Sequence, residues 1–223
     1  MTIFDIMGPV MVGPSSSHTA GAVRIGLIAR ALLGTPPVGA EILLHGSFAA
    51  TGRGHGTDRA LVAGLLDMQP DDPRIPQSFA LANQAGLAFQ FKNAALRGAH
   101  PNTALIRLVD ADGRRVEVEG SSLGGGRVKI YGLNGMETSF TGEYPTLIIE
   151  NVDKPGRVAI VAGVLYRHKV NIATMKVYRN VRGKPELMII ESDQVIYPRT
   201  VEELRESEGV LSVTYLELER SED

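Results

Sequence analysis

From Pro145 onward two hydrophobic periods alternate in a fixed order, which constrains the fold more tightly than anything else in the 223 residues. Thr146 to Glu150 is a β-branched, apolar run of strand length, and Asp153-Lys-Pro-Gly156 turns the chain after it. Val158, Val161, Ala162, Leu165 and Tyr166 then recur at spacings of three and four, the apolar stripe of a helix. Val170 to Tyr178 alternates as a strand with Ile172, Thr174, Lys176 and Tyr178 on one face. Val181-Arg-Gly-Lys184 is the next turn, and Glu186 to Glu191 pairs back as a hairpin. Thr200 is expected to cap a short acidic helix through Glu206, with Glu203 at capping-box spacing. Val210 to Leu218 supplies a last strand. The order is βαββαβ, a split-βαβ sandwich of about 75 residues.

The residues before this pattern are less regular. Thr19 to Leu33 reads as a helix and Glu41 to Phe48 as a buried strand. Gly52-Arg-Gly-His-Gly56 is a glycine-rich passage that leads into a helix beginning at Thr57-Asp58. A short helix is expected over Ser78 to Gln84. Thr103 to Val109 and Val116 to Glu119 form a β-hairpin around Ala111-Asp-Gly113, with a further strand over Val128 to Tyr131. Turn residues at Ser122-Leu-Gly-Gly-Gly126, Asn134-Gly135 and Thr141-Gly142-Glu143 place the seam just before Tyr144 and Pro145. The expectation is an α+β protein of two domains, residues 1–143 and 144–223.

Composition narrows the chemistry more than the fold. The chain has no cysteine, which excludes a disulfide scaffold, a Cys-ligated zinc site, a cysteine nucleophile and any thiolate-held iron–sulfur cluster on this chain alone. A formal charge of −2 gives no general pull towards nucleic acid or an anionic membrane. No run approaches the ~20 apolar residues of a membrane-spanning helix. Met1-Thr2-Ile3-Phe4-Asp5 lacks a basic, then apolar, leader, so a cytoplasmic location is expected.

Three polar clusters are candidates for chemistry. Gly13-Pro-Ser-Ser-Ser-His-Thr19 puts four hydroxyls and one imidazole in five consecutive positions at a helix start. The free N–H groups and positive dipole end of a helix suit a carboxylate, and a neutral His18 can take a proton near pH 7. The plainer reading is a helix cap, for which one hydroxyl suffices. His45-Gly-Ser47 with Thr51-Gly-Arg-Gly-His-Gly-Thr-Asp58 is either a second anion-binding turn or a simple connection capped by Thr57. It lacks the Gly-Lys-Ser/Thr ending of a phosphate loop, which argues against a nucleotide site. His100-Pro-Asn-Thr103 is a turn whose Asn102 amide, a donor at one end and an acceptor at the other, can fix a substrate carboxylate or amine. His168, at a helix C-terminus, reads as structural.

Taken together, these stretches resemble the β subunit of the bacterial iron–sulfur-dependent L-serine dehydratases through nearly the whole chain. The resemblance rests on Gly13 to Thr19, Gly46 to Asp58, His100 to Asn102 and Ser122 to Gly126. The last 80 or so residues resemble an ACT domain, with Asn151-Val-Asp-Lys-Pro-Gly156 as its ligand loop. The resemblance implies conversion of L-serine to pyruvate and ammonia. It also implies a 4Fe-4S cluster held by cysteines of an α subunit, with no metal ligand on this chain. Carried over residue by residue, His18 is the base, Thr19 and Asn102 orient the substrate, and Ser15, Ser16 and Ser17 lie near its carboxylate. His55 lines the cleft. In the ACT domain Asn151 and Asp153 would hold an amino group and the helix start at Gly156 a carboxylate, with self-association through that domain. The first half also resembles the allosteric substrate-binding domain of some phosphoglycerate dehydrogenases, which leaves a non-catalytic amino-acid sensor as the other implied function.

Overall fold

The structure, a computed structural model, describes residues 11–13, 15–179 and 185–217, with the backbone alone at Arg53. The chain divides into two units, Met1–Thr141 and Gly142–Asp223. The first unit is one mixed sheet with helices on one face. Its strands are β1 (Pro37–Leu44), β2 (Ala88–Asn93), β3 (Thr103–Asp110), β4 (Arg115–Gly124), β5 (Arg127–Leu133) and β6 (Met136–Phe140), in the order β2-β1-β3-β4-β5-β6. Only β1 and β2 run parallel; every other neighbour is antiparallel. Helices α1 (Gly21–Leu33), α2 (Gly46–His55), α3 (Thr57–Leu65) and α4 (Ser78–Gln84) complete the unit.

Alternation along the strands decides which face is covered. In β3, Ala104, Ile106 and Leu108 are buried, and Arg107 between them is exposed. The buried set joins Ile25 and Ile28 of α1, Leu61 of α3 and Ile130 of β5 in the core. On the other face Arg107 bonds Glu41 at 2.9 Å and Glu117 at 2.6 Å, and Lys92 reaches Glu41 at 2.5 Å. This ladder of charges crosses four strands, and solvent screening leaves each such pair little net energy. Helices α1 and α3 cross where glycine meets glycine. A Cβ on Gly64 would lie 2.2 Å from the Val23 carbonyl oxygen, and one on Gly26 would lie 2.5 Å from that of Leu61. Nothing larger than hydrogen fits at either place.

The second unit has β7 (Thr146–Asn151), α5 (Arg157–Arg167), β8 (Ile172–Tyr178), β9 (Glu186–Ser192), α6 (Pro198–Glu206) and β10 (Val210–Leu216). All pairings in its sheet, β10-β7-β9-β8, are antiparallel. This is the βαββαβ order that the periodicity predicts. Leu147, Ile149, Val161, Leu165, Met188, Ile190, Leu204 and Val213 form its core. Imidazole Nε2 of His168, the residue that ends α5, lies 2.5 Å from Glu203 of α6, a structural contact as expected.

Several boundaries differ from the expectations. The Gly52–Gly56 passage is the end of helix α2, not a loop; only Gly56, at φ +74°, is left-handed. The first helix begins with a π-helical turn, Ser16–Ala20, before α1 proper. Strand β1 stops at Leu44 because Gly46 turns with φ +55°. Thr200 is not the cap of α6: Tyr197 stands there, and Pro198 at the first turn, with its φ already helical, sets the start. Strands β2 and β6 have no counterpart in the sequence pattern. The turn over residues 181–184, the first ten residues and Leu218 lie outside the described residues.

Candidate active site

The serine-rich turn is built by its own first hydroxyl. Ser15 is the N-cap: its Oγ accepts the His18 N–H at 3.2 Å, and its carbonyl accepts the Thr19 N–H at 2.8 Å. The cap reading is therefore correct for Ser15, and it holds His18 in place. Ser16 Oγ accepts the Gly125 N–H at 3.2 Å, tying the turn to the β4–β5 hairpin, and Gly124 packs beside Ser17. Thr19 is buried and packs against the backbone of Gly13.

His18 is 8% exposed, and side chains of α2 and α3 surround its ring. Nδ1 lies 2.8 Å from Thr57 Oγ1, inside the protein. Nε2 lies 3.3 Å from the hydroxyl of half-buried Ser47. The edge of Phe48 approaches with ring centroids 5.2 Å apart, and His55 lies tilted at 4.9 Å. Burial first, and the like charge of His55 second, lower the pKa of His18 from its usual 6.5. The imidazole is thus neutral at physiological pH, as a base must be.

Helices α2 and α3 hold the groups around this ring. They are joined by Gly56 alone, so the last residue of α2, His55, and the first of α3, Thr57, both reach His18. The start of α2 is clamped by the turn before β3. Gly46 has no room for a Cβ, which would meet Pro101 backbone at 2.6 Å; Phe48 N–H donates to the Pro101 carbonyl at 3.4 Å. Asn102, half-buried, donates its N–H to His100 Nδ1 at 3.2 Å, and its carbonyl accepts the Ser122 N–H at 2.9 Å. The four stretches read in the sequence therefore form one connected group, from Ser16 through His18, Phe48 and Pro101 to Ser122 and Gly125. Ser47, Phe48 and Thr57 belong to it as well. Sequence reasoning gives Thr57 only a capping role, because nothing local links it to an imidazole 39 residues earlier.

Residues 2–86 match the family described as serine dehydratase beta chain. The probable L-serine dehydratase beta chain of Bacillus subtilis is 43% identical over 213 residues, 96% of either chain. The chain belongs to the L-serine dehydratase beta-chain family. It is accordingly a subunit of that lyase. The L-serine dehydratase beta chain of Peptoniphilus asaccharolyticus is also 43% identical, over 86% of each chain. The ACT domain of a Chlorobium tepidum GTP pyrophosphokinase resembles part of this beta chain, with 22% identity and a TM-score of 0.27 over 32% of this chain and 95% of that one.

The residues expected to form a ligand loop in the second unit lie at the end of β7 and in the turn that leads to α5. Asn151 lies within β7 and is fully buried, its Nδ2 donating to the Ile149 carbonyl at 3.5 Å. Asp153 is paired with Arg179 at 3.1 Å, so its carboxylate is already engaged. Gly156, at φ +90°, precedes the first turn of α5 and serves as its N-cap. Glu186 joins this end of the unit, its pKa raised by burial and then by Asp153. No helix among the described residues is long and apolar enough to cross a membrane.

Proposed function

We propose that this beta chain supplies the base-bearing, substrate-binding side of a two-chain L-serine dehydratase. The observation that carries the reading is His18: a buried imidazole, kept neutral by its surroundings, at the start of a helix beside three serines. The positive dipole end of the helix that starts there favours the carboxylate of L-serine. Asn102 offers its side-chain carbonyl oxygen to the ammonium group, and Ser17 and His55 line the approach. His18 Nε2 takes the α-proton as the Cα–H bond breaks, and the electron pair becomes the Cα–Cβ double bond. The β-hydroxyl leaves and, with the proton that His18 has taken, becomes water, which returns the imidazole to its neutral form. The aminoacrylate tautomerises to an imine, and addition of one water gives pyruvate and ammonia, so the atoms of serine are conserved overall.

The 4Fe-4S cluster implied for the family does not fit on this chain. There is no cysteine, and among the described residues no three His, Asp or Glu side chains gather as a metal site. It would be held by the cysteines of an alpha chain, facing the surface that His18 lines. The test is anaerobic reconstitution with such an alpha chain and an assay of pyruvate from L-serine. The pair is expected to be active and either chain alone inactive. His18→Ala should keep the visible absorbance of the cluster and lose turnover by roughly 10²-fold or more, the range set by a positioned base. Near-normal turnover would refute the base assignment. Serine binding by this chain, with no activity restored by any cysteine-bearing partner, would favour an amino-acid sensor instead.

A further inference from the structure

We infer that Thr57 is the positioning residue of His18, fixing which ring nitrogen carries the proton. This rests on the proposal that His18 is the base. The two nitrogens of the imidazole meet unlike surroundings. Nδ1 points into the protein, 2.8 Å from the hydroxyl of a threonine with no exposed surface. Nε2 points towards Ser47, a half-buried residue on the side where α2 begins. A neutral imidazole has one N–H and one lone pair, and the bond made by one nitrogen decides the role of the other. If the proton sat on Nε2, the nitrogen assigned to take the α-proton would present a donor and no base. With Thr57 Oγ1 accepting Nδ1–H, the lone pair stands at Nε2, and Ser47 donates to it until substrate arrives.

The partner on Nδ1 being a hydroxyl and not a carboxylate has a further consequence. A carboxylate there would stabilise the imidazolium and raise its pKa. A neutral hydroxyl orients the ring without doing so, and the base stays unprotonated at the pH where it must act. The backbone supports the same contact twice over. Ser15 pins the His18 N–H at 3.2 Å, and Gly56 sets Thr57 as the first residue of α3. The glycine crossing of α1 and α3 keeps the two helices, and so the two side chains, within reach of one another.

The experiment is 15N NMR of the full chain with labelled histidine, the His18 signals being assigned by their loss in His18→Ala. The neutral wild-type ring should be the Nδ1–H tautomer. Thr57→Val, equal in shape, should lose that preference; Thr57→Ser should keep it. In the enzyme reconstituted with its alpha chain, Thr57→Val should lower kcat at least about tenfold, part of the ~10²–10⁴ that a placed base supplies. KM should change less than about twofold, and Thr57→Ser should restore most of kcat. A wild-type ring protonated on Nε2, or a Thr57→Val enzyme with wild-type kcat, would overturn the inference even if His18→Ala were inactive. Full turnover by His18→Ala would overturn the base assignment itself, and the positioning role with it. The wild-type tautomer decides the matter even should Thr57→Val fail to fold.

Discussion

Replacing Gly64 by alanine tests the crossing of α1 and α3 and the site that depends on it. The added Cβ would lie 2.2 Å from the Val23 carbonyl oxygen, 2.8 Å from the Leu27 nitrogen and 2.9 Å from the Gly26 Cα. All three are backbone atoms, so no side chain can swing aside. A carbon normally approaches a carbonyl oxygen to about 3.3 Å, which obliges α3 to withdraw by roughly 1 Å. A gap of that size forfeits about a quarter to a half of each dispersion contact across the interface. The residues that would lose contact, Val23, Leu27, Ala60 and Leu61, are all buried. Overpacking of this kind costs about 1–3 kcal/mol, and backbone on both sides places Gly64→Ala near the upper end. Alanine's better helix propensity, worth about 1 kcal/mol, offsets part of it. A net loss of about 2 kcal/mol lowers Tm by roughly 6–10 °C for a unit of this size.

The assay is thermal and urea unfolding of the full chain, with Gly54→Ala as control. Gly54 lies in α2 with nothing within 4 Å of an added Cβ, so its substitution should be neutral or stabilising. The same withdrawal of α3 carries Thr57 away from His18, whose bond of 2.8 Å cannot survive a stretch of about 1 Å. Gly64→Ala should therefore lower kcat in the reconstituted enzyme at temperatures where it remains folded. A Tm within about 1 °C of wild type, or above it, would refute the claim that the two helices are in backbone contact.

Two other perturbations separate the remaining parts. Gly209→Ala meets a left-handed φ of +80° and puts a Cβ 2.3 Å from Arg157 Nη1, the guanidinium that bonds the Glu208 carbonyl; a stability loss of about 2 kcal/mol in urea is expected. His55→Gln tests the electrostatics of the base through the acid limb of the kcat profile. The His18 pKa is lowered by burial and then by His55, so the limb lies below 6.5 in the wild type. Removing the second charge should move it up, though still short of that value, because burial persists. Stability has the same sign: the folded pKa is depressed, so the contribution of His18 is present above 6.5 and is lost as pH falls through the folded value.

How much of the fold is legible in the sequence depends on how far apart the contacting residues lie. In the second unit each element announces itself within a few residues, as with the stripe Val158, Val161, Ala162 and Leu165, and the whole βαββαβ order can be read off. In the first unit the elements that escape notice are those whose reason is distant. Helix α2 carries glycine at positions 46, 52 and 54 and reads as a loop, yet its start is anchored by Pro101, which lies beyond two further helices and a strand. Strand β2 goes unread because its pattern is largely exposed; it exists because β1 lies beside it in parallel register from Gly39 to Leu44. The site follows the same rule. A serine run followed by histidine is ambiguous on its own, and the structure shows why both readings are available: Ser15 is the cap, and the cap is what fixes the imidazole. Thr57 stands at the opposite limit. Its neighbours in sequence explain its place at the head of α3, while the contact that gives it a chemical role comes from His18 on another helix. Cysteine is the converse case, where a feature missing from the sequence speaks about a residue it contains. A chain without thiolates holds no thiolate-ligated cluster by itself, so under the function proposed above the cysteines would have to come from a second chain.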